Sequence, residues 1–208
     1  MLDSLLTNFF VMCVYFIPGS ILMFGILLIW PRLLPKNNSL IPSKWRQDIY
    51  LIFISLFLGV LIHAIMYSPF YIFHKQFWHV QQTIMNERGC CANTSSQDAC
   101  QRLNINPFIN EIDYYLAETM VKEKTNKAGE TVYRLEALYY LCRNCVIPFF
   151  VLAYGITFRY RKRFTWKRFF MFGGSIVIGE LVLIGSAFYY FSSMIYAVLR
   201  GIVLLPKP

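Results

Sequence analysis

Four apolar runs, each long enough to cross a lipid bilayer, constrain this chain more than any other feature. They are approximately Leu5–Trp30, Ile49–Phe73, Leu138–Phe158 and Phe169–Phe191. A helix rises about 1.5 Å per residue, so roughly 20 apolar residues cover about 30 Å of hydrocarbon. Lipid offers no partner to a bare N–H or C=O, so such runs are expected as helices that pair their own backbone. The excess is global too: 57% of residues are hydrophobic, against about 45–50% in ordinary soluble domains. The expectation is an all-α integral membrane protein with four transmembrane helices. A small helical, cysteine-containing extracytoplasmic cap sits between helices 2 and 3.

The net charge of +9 is confined to two places. The first connection, 31–48, carries +3 through Arg32, Lys36, Lys44 and Arg46 against Asp48, and the segment RYRKRFTWKR, 159–168, carries +6 with no acid. The long stretch 74–135 holds seven basic and seven acidic residues and is neutral. Short Lys/Arg-rich loops beside spans stay cytoplasmic, so both basic loops are expected inside, with 74–135 and both termini extracytoplasmic. Charge gathered in two short loops differs from the stripe that grips phosphates, and no direct nucleic-acid binding is expected. The domain reading follows: 1–73 is spans 1 and 2 with cytoplasmic loop 31–48, 74–135 is the cap, and 136–208 is spans 3 and 4 with cytoplasmic loop 159–168.

Cysteines agree with that sidedness. Cys90, Cys91 and Cys100 fall in the outer stretch, while Cys142 and Cys145 lie near the outer end of the third span. An oxidising compartment permits disulfides there, most simply Cys100 with Cys90 or Cys91, the remaining one of that pair being able to reach Cys142 or Cys145. Cys13, inside the first span, reads as a small apolar side chain.

Several local signals add detail. The run after MLDS exceeds the 7–15 residues of a signal-peptide core and lacks a basic lead, so it is expected to remain as a span. Pro18-Gly19 predicts a kink within it, tolerated by neighbouring helices. Trp30 and Trp45 bracket the first loop, and Tyr67, Tyr71, Phe73, Phe77 and Trp78 form an aromatic belt. The second helix is expected to continue through Arg88. Asn93-Thr94-Ser95 is a glycan acceptor pattern that also occurs by chance. Asn106-Pro107 starts another helix whose stripe is Phe108, Ile112, Tyr115, Leu116 and Met120. Lys127-Ala128-Gly129 is read as the turn before the third span. Beyond Phe191 the chain stays apolar to Leu205, as a long helix reaching the cap or a segment in the interface.

Three ionisable residues lie inside the spans: His63, Arg143 and Glu180. Glu180 is about 16 Å from Phe169 by helix rise, and an ionised carboxylate at that depth costs several kcal/mol. It must be protonated, paired or facing a wet interior. Gly173, Glu180 and Ala187 share one face, with Ser175 and Gly179 beside it, so Glu180 is expected to face protein, and its better-matched partner by depth is His63.

No GxSxG, Walker glycine loop, HExxH or GxGxxG occurs, and no span holds two carboxylates. Cys142-Arg143-Asn144-Cys145 is a CxxC without the surrounding fold of a thioredoxin-like unit. His74 and His79 with Cys90 and Cys91 match no standard zinc spacing. The expectation is a chain without enzymatic activity, cofactor or metal. The basic residues Arg159, Arg161, Lys162, Arg163, Lys167 and Arg168 are expected to contact anionic lipid headgroups, each worth about 1 kcal/mol, or an acidic cytosolic protein.

The tetraspanin pattern fails, because here the large loop joins spans 2 and 3. The layout of four spans, outer segment His74–Leu135 and basic inner loop Arg159–Arg168 resembles the small membrane subunit of the bacterial Kiwa antiphage system. That resemblance implies a homo-oligomeric sensor in the bacterial inner membrane that signals inward to a cytosolic partner. The competing expectation is a small ion channel or transporter using Glu180.

Overall fold

The computed structural model describes residues 2–31, 48–67, 111–161 and 165–204. These residues form helices and short connections, with no strand among them. Four helical stretches are long and apolar enough to cross a membrane: Thr7–Ile29, Asp48–Tyr67, Asn126–Tyr160 and Phe170–Val203. This is the pattern of a multi-pass membrane protein, and the all-α class holds. The first loop beyond Pro31 with Trp45, the helix extension through Arg88, the aromatic belt beyond Tyr67, the glycan pattern at Asn93 and the start at Asn106-Pro107 lie outside the described residues.

The first span is α1 (Leu2–Val11), a π-helical turn (Met12–Phe16) and α2 (Ile17–Ile29). Proline has no N–H to return to the carbonyl four residues earlier, so it sits best in the first turn of a helix. Pro18 occupies that place in α2, and the ladder widens just before it, where the Ile17 N–H bonds to Met12 O. The kink expected at Pro18 is thus a π bulge one turn earlier. Next come α3 (Asp48–Tyr67), α4 (Glu111–Lys124), α5 (Asn126–Tyr160) and α6 (Trp166–Val203).

The chain divides into two compact units. One comprises Thr7–Tyr67 and Ala137–Phe188. Within it α3 crosses the first span at backbone distance: a Cβ on Gly19 would fall 1.7 Å from the Ser55 carbonyl oxygen, and one on Gly59 would fall 1.9 Å from that of Tyr15. Only glycine fits at either position, the small-residue packing expected where lipid removes the hydrophobic drive between helices. Ser55 in turn donates to Met23 Sδ at 3.7 Å. On the other side of the first span, Gly25 lies against the backbone of Leu152 in α5. The hydroxyls of Thr157 and Ser175 return to their own backbone, to Ala153 O and Met171 O. That keeps them satisfied without water.

The other unit comprises Met1–Leu6, Ser68–Glu136 and Tyr189–Pro208. Its described part is a tight hairpin of α4 and the start of α5, joined by Thr125 alone. The Thr125 N–H and hydroxyl both bond to Val121 O, and Gly129 N–H bonds to Thr125 O. The turn expected at Lys127-Ala128-Gly129 is therefore displaced to Thr125, and those three residues form the first turn of α5. Gly129 serves packing instead, since a Cβ there would lie 2.8 Å from Lys122 O.

The buried side of α4 also differs from the stripe read in the sequence. Tyr115 and Leu116 are exposed, while Ala117, Glu118 and Val121 are buried. Small Ala117 permits close approach, and Lys122 bonds Glu118 at 2.5 Å and Glu136 of α5 at 2.7 Å. Ion pairing across the hairpin thus overrides the aromatic stripe. Beyond Phe191, α6 continues as helix to Val203, and Gly201 packs against the Val121 side chain within this unit. The long-helix alternative is the one realised.

Candidate functional site

The polar residues of the spans gather around α5. Residues 142 to 145 are all buried, so this turn of α5 is enclosed by protein on every side. Arg143 is only 4% exposed and Asn144 is fully enclosed. Arg143 Nη2 lies 2.9 Å from His63 Nδ1 of α3, and Arg143 Nε donates to Asn144 Oδ1 at 3.1 Å. Asn144 Nδ2 lies 3.1 Å from the same His63 nitrogen and 2.9 Å from the Val14 carbonyl oxygen.

Two consequences follow from this geometry. Arg143 and the Asn144 amide can only donate from these atoms, so His63 Nδ1 is the acceptor of both, and the ring carries its proton on Nε2 and is neutral. Val14 is the residue four before Pro18, so its carbonyl is the one that proline leaves without an α-helical partner. Asn144 replaces the missing donor. One carboxamide thereby ties the bulge in the first span, α3 and α5 together.

Aromatic rings close the cluster. The Arg143 guanidinium lies 4.6 Å from the centre of the Tyr140 ring and 5.7 Å from that of Tyr139. His63 meets Tyr15 and Tyr140 edge to face, at 5.4 and 5.1 Å between ring centres. Ring faces carry partial negative charge and stabilise a desolvated cation by up to about 2 kcal/mol. Arg143 has no carboxylate partner among the described residues, where the ion pairs are those of Lys122 with Glu118 and Glu136, and of Arg134 with Glu130. The arginine is held by a neutral acceptor set and π faces.

The partnership expected between His63 and Glu180 is not made. Arg143, toward the outer end of the apolar run that begins at Leu138, bonds His63, which itself lies four residues before the described end of the second span at Tyr67. Both Glu180 carboxylate oxygens are buried and have no hydrogen-bond partner. The face expected to pack around it does so in part: Gly179 lies against the Phe149 ring and Ala187 is buried, yet Gly173 has nothing within 4 Å.

The remaining sequence candidates are more dispersed. Cys142 and Cys145 are buried free thiols, as is Cys13; Cys90, Cys91 and Cys100 lie outside the described residues. Among the described residues no group of His, Cys, Asp and Glu side chains is placed to hold a metal ion. Arg159 and Arg161 are exposed beside the end of α5, with Arg161 stacked 5.2 Å from the Phe158 ring. Lys162 and Arg163 lie outside the described residues, and Lys167 and Arg168 belong to the first turn of α6. No family model, curated protein or solved structure matches the chain. The sequence singles out neither Tyr15, Tyr139 and Tyr140 nor, beyond its place in the CxxC, Asn144, although Pro18 signals a carbonyl in need of a donor.

Chemically, these hydrogen bonds join Val14, His63 and the Arg143–Asn144 pair, and so fix the mutual orientation of three spans around a half-buried imidazole.

Proposed function

We propose that this chain is a non-enzymatic, oligomeric membrane sensor or scaffold. Its segment between the second and third spans receives on the extracytoplasmic side, and the basic segment Arg159–Arg168 engages a cytosolic partner and anionic headgroups on the other. The observation that supports this reading is the continuity of α5. It is one helix of 35 residues, Asn126–Tyr160, which begins in the hairpin with α4 and ends at Arg159. By helix rise it is about 50 Å long. The Arg143 cluster grips it halfway along, five residues before the internal Pro148. At the far end exposed Arg159 and Arg161 accompany a run whose six positive charges favour an acidic surface.

The test is capture of cytosolic partners by the intact protein in native membranes, compared with a variant neutralised at Arg161, Lys162 and Arg163. Capture and phenotype lost together, with membrane insertion unchanged, support the reading. Retention of both refutes a transmitting role for this segment.

A further inference from the structure

Glu180 lies within the apolar run Phe169–Phe191 of α6, where it is the sole acid. It lies 14 residues into α6, about 21 Å from Trp166 by helix rise. Its two oxygens are both removed from solvent, and neither receives a hydrogen bond. The helix around it offers nothing to solvate a charge. Val177, Ile178, Leu181 and Val182 are exposed apolar side chains that suit lipid, and Gly179 lies against the Phe149 ring of α5. The titratable group of α5 near Glu180 is the buried Cys145 thiol, which carries no positive charge. Arg143, two residues earlier, is committed to His63 and Asn144.

We propose that Glu180 is an intramembrane proton-binding site, occupied as the neutral carboxylic acid in the state described here. The proton is the one cation such a site can take. A metal ion such as Ca2+ requires roughly six to eight oxygen ligands, whereas a proton needs a single oxygen. An ionised carboxylate at this depth, with no donor or counter-ion among the described residues, carries a penalty of a few kcal/mol or more. Binding the proton removes the charge. The corollary is a coupling: any rearrangement of α6 that gives Glu180 water or a cationic partner releases the proton, and loss of the proton favours that rearrangement.

Infrared spectroscopy of the full-length protein in lipid bilayers at neutral pH tests this directly, by comparing wild type with Glu180→Gln. The proposal expects a protonated-carboxyl carbonyl band that is absent from the variant and shifts on exchange into deuterium oxide only slowly. A carboxylate band lost in the variant, with no acid band, overturns it. Labelling the wild type needs no folded variant: an apolar carbodiimide, which attacks protonated carboxyls in lipid, is expected to modify the peptide bearing Glu180. The water-soluble reagent is expected to leave it untouched, and the reverse pattern also overturns the proposal.

Discussion

Replacing Asn144 by alanine examines the polar cluster most sharply, because this one side chain serves three partners. The substitution removes the bonds to Val14 O at 2.9 Å, to His63 Nδ1 at 3.1 Å and from Arg143 Nε at 3.1 Å. Hydrogen bonds between membrane helices average about 0.6 kcal/mol, so the two that leave α5 are together worth about 1 kcal/mol. The site admits no water to the Val14 carbonyl, and a buried group left without a partner adds about 1–3 kcal/mol. A loss of about 2–4 kcal/mol is expected, read from unfolding in mixed micelles by titration with a denaturing detergent.

The same reasoning predicts a specific coupling. Pro18→Ala supplies a backbone N–H within reach of Val14 O, so Asn144→Ala should be milder in that background by about 1 kcal/mol. Strict additivity of the two substitutions, or an Asn144→Ala loss below about 0.5 kcal/mol, would refute the assignment of Asn144 as the surrogate donor.

Three further outcomes are expected. Gly59→Leu collides with the Tyr15 backbone and should destabilise the spans by at least about 1–3 kcal/mol, whereas Gly173→Leu, with nothing within 4 Å, should be close to neutral in the same titration. Lys122→Met leaves Glu118 and Glu136 facing one another and should cost about 3 kcal/mol, measured by thermal unfolding. Burial pulls the Lys122 ammonium down, but Glu118 and Glu136 outweigh it and hold the group above the ordinary lysine value of 10.5. A raised lysine contributes stability that is full at neutral pH and is lost as pH climbs past that value, so the alkaline loss of hairpin stability should disappear in Lys122→Met. The nitrogen shifts of His63 should report a neutral ring protonated at Nε2, and a proton at Nδ1 would contradict the converging donors.

The spans were legible because a bilayer imposes a length and a polarity that one sequence displays openly. Proline marked the first-span irregularity to within a turn. Partner choice among polar residues was not legible, since His63 and Arg143 meet through the packing of α3 on α5, which the periodicity of neither helix displays. The α4 stripe misled for a related reason. Tyr115 and Leu116 have the right spacing, but the bonds from Lys122 to Glu118 and Glu136 turn the polar side of α4 toward its neighbour. Charge complementarity between helices leaves no periodic trace in either helix alone.

Sidedness carries the functional proposal, and site-specific thiol labelling in intact cells measures it. With Cys90, Cys91 and Cys100 replaced by serine, the buried thiols of Cys13, Cys142 and Cys145 give a quiet background. A membrane-impermeant maleimide should then label Thr119→Cys, exposed on α4, in intact cells, and Arg161→Cys only after permeabilisation. Labelling of Arg161→Cys from outside, with Thr119→Cys protected, would invert receiver and transmitter and contradict the account.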